Sequence, residues 1–80
     1  MVKICVTQKD INTGKKESMR ACPIAKAVRR ATKKTGIEVT GGSVWIKNDR
    51  YNLPTRARRF VSRFDGELPV KPFQFNLCGL

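Results

Sequence analysis

Hydrophobic and polar residues alternate with a period of two in four short stretches of the chain, which is the pattern of half-buried β-strands. These stretches are residues 2–7, 37–40, 44–47 and 73–78. The dipeptide Gly41-Gly42 indicates a hairpin turn between the second and the third stretch, and residues 51–53 suggest a brief further strand. The pattern therefore predicts four or five short strands. The last strand is expected either to lie centrally in the sheet or to pair with the first.

Two other stretches repeat hydrophobic residues at the i, i+3, i+4, i+7 spacing of one helix face. The first, residues 23–36, begins with Pro23, which suits the first helical position, and ends with Gly36, which suits the left-handed position after a helix. The second, residues 54–65, stops at Gly66. The sequence thus predicts two amphipathic helices, whose inward-facing residues are Ile24, Ala27, Val28 and Ala31 in the first and Ala57, Phe60, Val61 and Phe64 in the second.

A shorter helical signal follows the first predicted strand. Thr7 precedes Asp10 by three residues, as in a capping box, and this spacing predicts one helical turn through Ile11 that ends at Gly14. The segment 15–21 is polar and basic and shows no periodicity, so we expect a mobile loop there.

Together these elements predict a single domain of the α+β class over residues 1–80. We expect a small antiparallel or mixed sheet of four to five short strands, with two amphipathic helices packed on one face. The expected hydrophobic core consists of Val2, Ile4, Val6, Ile24, Val28, Ile37, Val39, Val44, Ile46, Phe60, Val61, Phe64, Phe73, Phe75 and Leu77.

The charge of the chain narrows the choice of partners. The sequence has 17 Lys and Arg against 6 Asp and Glu, which gives a formal net charge of +11. This balance favours nucleic acid, an anionic membrane surface or an acidic protein as the partner. Because no apolar run is long enough to span a membrane and the first residues lack the apolar region of a signal peptide, we expect no membrane contact and a cytoplasmic location.

Residue types that perform catalysis or hold metals are few in this sequence. The chain has no His, its carboxylates are scattered singly, and its three cysteines match neither a disulfide framework nor a zinc motif. Cys22, just before the first predicted helix, is either a thiol with a lowered pKa or a partly buried N-cap residue. We therefore expect no enzymatic activity, no cofactor and no bound metal.

Cations cover the outward side of both predicted helices, and only Asp65 opposes them. Like charges at i, i+4, such as Arg29 with Lys33, repel one another, and a negatively charged partner is the simplest reason to keep them. The candidate residues for binding nucleic acid or a protein partner are Lys26, Arg29, Arg30, Lys33, Lys34, Arg56, Arg59, Arg63 and Trp45.

Trp45 is a candidate because the alternation of its strand points it away from the helices. On a single sheet it would lie beside Lys3, Lys47 and Gln74, where it would stack on an unpaired base or anchor a protein partner. The alternative is that the 15–21 loop or the tail 78–80 covers it.

Four segments of the sequence resemble a pattern found in small uncharacterised proteins of bacteriophages and their hosts. The segments are VTQKDINTG, CPIAKAVRRA, LPTRARRFVSRFDG and PVKPFQFNL, and they cover most of the chain. The resemblance implies a phage-type source, and with it the cytosol of the host cell, rather than an activity. Small phage proteins frequently inhibit host enzymes or host defence.

Two functions follow as hypotheses. The first is a small non-catalytic accessory protein that binds nucleic acid through a cationic two-helix surface. The second is a protein-binding inhibitor of an acidic host protein or ribonucleoprotein complex, for example an anti-CRISPR or other anti-defence protein. In either case we expect a monomer or a homodimer. Because a long hairpin region separates the two predicted helices, binding to the nucleic-acid backbone is expected rather than base reading by a helix-turn-helix.

Overall fold

The computed structural model describes residues 2–16 and 18–77. These residues form five strands and three helices, so the predicted α+β class is confirmed. The elements follow one another in the order β1 (Val2–Val6), α1 (Gln8–Thr13), α2 (Pro23–Thr32), β2 (Ile37–Val39), β3 (Ser43–Ile46), β4 (Asp49–Asn52), α3 (Thr55–Asp65) and β5 (Phe73–Leu77). Within these residues, no helix combines the length and the apolar character needed to cross a membrane.

The strands form two antiparallel sheets, so the expectation of one sheet of four to five strands is wrong. The first sheet pairs β1 with β5, from Val2 opposite Leu77 to Val6 opposite Phe73. This settles the two alternatives for the last strand, which pairs with the first. The second sheet is a meander in the order β2-β3-β4.

Backbone groups at one edge of each sheet have hydrogen-bond partners outside the sheets. The carbonyl oxygen of Cys5 in β1 accepts a hydrogen bond from Nη2 of Arg30, over 2.7 Å. The backbone N–H of Val39 in β2 donates to the carbonyl oxygen of Met19, over 2.8 Å. Groups that a continuous sheet would use for strand pairing therefore bond to a side chain of α2 and to the loop that precedes α2.

The helix α1 begins with the predicted capping box. Oγ1 of Thr7 accepts a hydrogen bond from the N–H of Asp10 over 3.2 Å, and Oδ2 of Asp10 accepts one from the N–H of Thr7 over 2.9 Å. The helix continues to Thr13, beyond the single turn that the sequence predicts, and Gly14 follows as its C-cap. A Cβ at Gly14 would lie 2.7 Å from Cδ of Pro23, so only glycine lets the start of α2 approach this closely.

The helix α2 ends at Thr32, and its left-handed cap residue is Lys33, three residues before Gly36, where the sequence predicts that position. Oγ1 of Thr32 donates to the carbonyl oxygen of Val28 over 2.8 Å and accepts from the N–H of Lys34 over 3.3 Å, so the side chain takes part in ending the helix. Lys33 occupies the left-handed cap position at φ 57°, and its N–H donates to the carbonyl oxygen of Arg29 over 2.8 Å. Gly36 has the expected positive φ of 71°, but it lies in the connection to β2.

Substitution of Lys33 by glycine should raise the free energy of unfolding by about 0.5–1 kcal/mol, because glycine enters the left-handed region without the steric cost of a Cβ. Urea unfolding followed by circular dichroism measures this change. The control is Lys34→Gly at the next residue, which has no positive φ to relieve and should not stabilise the protein. A Lys33→Gly variant no more stable than the wild type would contradict the cap assignment.

The hydrophobic core draws on both sheets and on α2 and α3. Every residue of the expected core is buried or half-buried. The structure adds Leu53 and Ala25 to the fully enclosed positions. Ala57, expected on the inward face of the second helix, is enclosed as well, whereas Ala31, expected on the inward face of α2, is exposed. The ring of Phe60 in α3 lies 4.8 Å from that of Phe73 in β5, centroid to centroid, so aromatic contact joins α3 to the two-stranded sheet.

Candidate nucleic-acid interface

A groove of about 360 Å³ lies between α3 and the segment that enters β5. We call it the α3 groove. Four exposed cations, Arg56, Arg59, Arg63 and Lys71, line it together with Thr55 and the apolar side chains of Phe60, Val70 and Phe73. No carboxylate is among the described residues that line the groove. The α3 groove therefore combines an apolar surface with charge of one sign.

The sequence of α3 determines which of its side chains reach the groove. Arg56, Arg59 and Arg63 are spaced at i, i+3 and i+7, which places them on one side of the helix. Phe60 follows Arg59 and turns towards the core, where it is 6 % exposed. The arginines consequently border the groove, and the phenylalanine closes its inner end.

Two hydrogen bonds tie the opposite sides of the α3 groove together. Nη1 of Arg56 donates to the carbonyl oxygen of Gln74 in β5 over 3.5 Å. Nε of Arg63 donates to the carbonyl oxygen of Pro69 over 3.4 Å. These bonds leave further N–H groups of each guanidinium for a ligand, because an arginine carries five.

The positive surface continues past Arg56 onto the outer face of the two-stranded sheet. A shallow depression of about 380 Å³ there is lined by Lys3, Arg56, Gln74, Phe75 and Asn76. Lys3 lies opposite Asn76 in the pairing of β1 with β5, so its side chain shares a face with the amide of Asn76. Lys3 thus extends the line of cations beyond the α3 groove.

The cations of α2 do not line the described part of the α3 groove. Lys33 and Lys34, which follow the end of α2, border a separate depression of about 370 Å³ with Lys47, Asp49 and Tyr51. Of the nine candidate residues, Arg56, Arg59 and Arg63 thus line the α3 groove, whereas Lys33 and Lys34 line the other depression.

Arg30 is engaged within the fold. Its Nη1 and Nη2 donate to Oδ1 and Oδ2 of Asp10 over 2.9 and 2.7 Å, and Nη2 also donates to the carbonyl oxygen of Cys5. Asp10 is only 4 % exposed. Burial raises the pKa of Asp10, but the hydrogen bonds from Arg30 and Thr7 outweigh burial and hold it below the ordinary value of a carboxyl group. Arg30 therefore links α2 to α1 and β1.

The loop before α2 holds two of its cations in surface ion pairs. Nζ of Lys16 lies 2.9 Å from Oε1 of Glu67, and the hydrogen bond between them lowers the pKa of Glu67. Nη2 of Arg20 lies 3.3 Å from Oε2 of Glu38. Both pairs are largely exposed and contribute little to stability, but they reduce the positive charge that this loop offers a partner.

Trp45 is 37 % exposed on the outer face of the three-stranded sheet. Its neighbours across the strands are Glu38 on β2 and Arg50 on β4. Lys3 and Gln74, which a single sheet would have placed beside it, lie on the other sheet. The tail 78–80, considered as a cover for Trp45, lies outside the described residues.

Cys22 is the N-cap of α2, as one of the two alternatives predicts. Its Sγ accepts a hydrogen bond from the N–H of Ala25 over 3.4 Å, and the residue is 6 % exposed. Burial raises the pKa of the Cys22 thiol, so the alternative of a lowered thiol pKa is wrong. Cys78 lies outside the described residues. Among those described, no three His, Cys, Asp or Glu side chains are grouped as metal ligands would be.

Sequence reasoning missed Lys71, Val70 and Phe73 as parts of the candidate site. The two prolines in the segment Pro69-Val70-Lys71-Pro72 favour an extended chain after the second helix. This pattern was the one sign in the sequence that the segment could run alongside the helix.

No protein-family model, no curated protein and no solved structure matches this chain. The resemblance to phage-type proteins therefore stays a prediction, and only the residues of the site bear on the function.

Proposed function

We propose that this protein is a non-catalytic accessory protein that binds nucleic acid, with its main contact surface at the α3 groove. The observation that carries the proposal is the lining of this groove by Arg56, Arg59, Arg63 and Lys71, with no carboxylate among its described lining residues. Phosphate groups provide the matching negative charge at regular intervals along a strand, and guanidinium groups bind phosphate through paired N–H donors.

The arrangement supports contact with the nucleic-acid backbone rather than reading of base edges. The arginines of α3 lie along one groove and share it with Lys71, so a strand passing through it meets cations on both sides. Lys3 continues the positive surface across the two-stranded sheet, where Gln74 and Asn76 add neutral hydrogen-bond donors. Contacts of this kind position a strand but carry little sequence information.

Salt titration tests the proposal. With five cations on the path, Lys3, Arg56, Arg59, Arg63 and Lys71, a plot of log affinity against log salt concentration should have a slope of about −3.5 for a single strand and about −4.5 for a duplex. Fluorescence anisotropy of a labelled oligonucleotide, recorded between about 50 and 200 mM salt, measures this slope. No binding at the lowest salt, or binding that ignores salt, would overturn the proposal. Either result would favour the protein-binding alternative, for which the exposed ring of Trp45 offers an anchor.

A further inference from the structure

The α3 groove contains more apolar surface than a phosphate backbone requires. Val70 and Phe73 are half-buried and line the groove, with Phe60 beneath them. Contacts to phosphate need only cations and hydrogen-bond donors. The apolar side chains that lie between the four cations do not strengthen such contacts. Val70 and Phe73 pack against the hydrophobic core, and the part of each side chain that stays accessible in the groove suits a ligand that presents a flat apolar group together with its negative charge.

Phe73 is held in place by other aromatic rings. Its centroid lies 4.8 Å from that of Phe60 at an interplanar angle of 30°, and 5.6 Å from that of Phe75 at 23°. β5 fixes its backbone through pairing with Val6 of β1. Phe73 is thus a rigid aromatic side chain that remains partly accessible from the groove, and a preordered ring loses little conformational entropy when a ligand packs against it.

Cations flank this aromatic surface on both sides. Arg59 and Arg63 belong to α3, whereas Lys71 belongs to the segment that leads into β5. A single strand lying along the groove would place its phosphates by these cations and turn a base inward onto Phe73. In a duplex the bases are paired and stacked inside, so they cannot reach a ring at the inner surface of a groove.

We propose that the α3 groove takes an unpaired stretch of nucleic acid and stacks one of its bases on Phe73. This inference rests on the proposed function and specifies its ligand as a single strand. The cations of the groove supply the salt-dependent part of the affinity, and Phe73 supplies the preference for single strands over duplexes.

The test compares Phe73→Leu with Phe64→Leu. Leucine keeps an apolar side chain in the core but removes the flat ring. Phe64 is a matched control because it is half-buried and stacks on Phe60 at 6.0 Å without lining the α3 groove. The probes are a labelled single strand of about 12 nucleotides, within the usual site size of such proteins, and the same sequence as a duplex.

Phe73→Leu should weaken single-strand binding about 5- to 10-fold, near the lower end of the effect of a stacked base, because leucine retains some apolar contact. Duplex affinity and the slope against salt should not change, and Phe64→Leu should change neither affinity. Equal single-strand affinity for Phe73→Leu and the wild type, with salt-dependent binding intact, would overturn the inference and leave the proposed function standing. A wild-type protein that binds no nucleic acid would overturn both.

A second measurement uses only the wild-type protein, so it tests the inference even if the Phe73→Leu variant does not fold. A single strand that carries 2-aminopurine reports a change in base stacking through its fluorescence. Titration with the wild-type protein should change this fluorescence in step with the anisotropy of the single strand. Saturated binding without any fluorescence change, at each position of the probe along the strand, would contradict base stacking on the protein.

Discussion

A variant with Arg56→Gln, Arg59→Gln and Arg63→Gln should bind nucleic acid about 10²- to 10³-fold more weakly than the wild type at about 0.1 M salt. Each arginine that meets a phosphate displaces a counterion, and at this salt concentration each such contact contributes roughly five- to eightfold in affinity. Anisotropy titration with the labelled single strand measures the loss. Glutamine has a helix propensity close to that of arginine, and the hydrogen bonds lost from Arg56 and Arg63 are long and exposed. The helix α3 should therefore keep its structure, and the stability should change by less than about 1 kcal/mol.

The control for this variant removes the same amount of charge elsewhere. Lys26→Gln, Arg29→Gln and Lys34→Gln act on α2 and the residues after it, away from the lining of the α3 groove. This variant should lose less than about tenfold in affinity, because only the long-range attraction between protein and strand is reduced. Equal losses in the two variants would show that the net charge decides binding, and would contradict a site in the α3 groove.

Substitution of Asp10 by alanine should lower the free energy of unfolding by about 2–4 kcal/mol. The carboxylate accepts the N–H of Thr7 in the capping box and both ends of the Arg30 guanidinium, so one substitution removes a helix cap and a paired ion contact. The remaining charge of Arg30 is half-exposed, which keeps the loss below that of a fully buried ion pair. A domain of this length has only about 4–12 kcal/mol of stability in total. Urea unfolding measures the change.

Thr7→Ala separates the helix cap from the ion pair. It removes the hydroxyl that accepts the N–H of Asp10 but leaves Asp10 and Arg30 in contact, and should cost about 1 kcal/mol. If Asp10→Ala costs no more than Thr7→Ala, the contact with Arg30 adds nothing to stability and the account of Arg30 as a link between α1, α2 and β1 is wrong.

The pH dependence of unfolding gives an independent check on Asp10. Burial acts to raise the pKa of this carboxyl, but the hydrogen bonds from Arg30 and Thr7 hold it below the ordinary value of 3.8. A carboxyl with a lowered pKa in the folded state stabilises the fold above its ordinary pKa, and this contribution disappears as the pH falls through the lower folded value. The urea midpoint of the wild type should therefore fall below about pH 4, and the fall should be shallower in Asp10→Ala.

Local signals in the sequence predicted the elements of the fold well. The capping box of Thr7 and Asp10, the N-cap position of Cys22 and the start of α3 each depend on residues within one helical turn. Period-two alternation likewise located the strands to within a residue or two at each end. The end of α2 was not predicted correctly. The helix already ends at Thr32, where the side chain bonds to the carbonyl oxygen of Val28, and this contact is not visible as a pattern in the sequence.

The division into two sheets did not follow from the sequence, because it depends on contacts between residues far apart in the chain. Arg30 bonds the backbone of β1 at Cys5, and Met19 bonds the edge of β2 at Val39. Neither contact leaves a periodic pattern. The same reason explains why Arg30 was expected in the binding surface: its partner Asp10 lies twenty residues earlier.

The candidate site was predictable in part. The spacing of Arg56, Arg59 and Arg63 on one side of α3 is visible in the sequence, and it is the half of the site that a helix alone determines. The other half of the site consists of Lys71 and Phe73. These residues lie beside the arginines only because β5 pairs with β1 and the ring of Phe73 packs on that of Phe60. Sequence reasoning therefore identified the cations of the helix without the apolar surface between them.

The pairing of β1 with β5 also sets the point in folding at which the site is completed. The three-stranded sheet pairs strands that are neighbours in the chain, so its formation closes only short loops. The two-stranded sheet pairs β1 with β5, which lie at opposite ends of the described chain. Lys71 and Phe73 therefore reach their places opposite the arginines of α3 only when this long-range pairing has formed. The site proposed for a single strand is consequently complete only once the two-stranded sheet has closed.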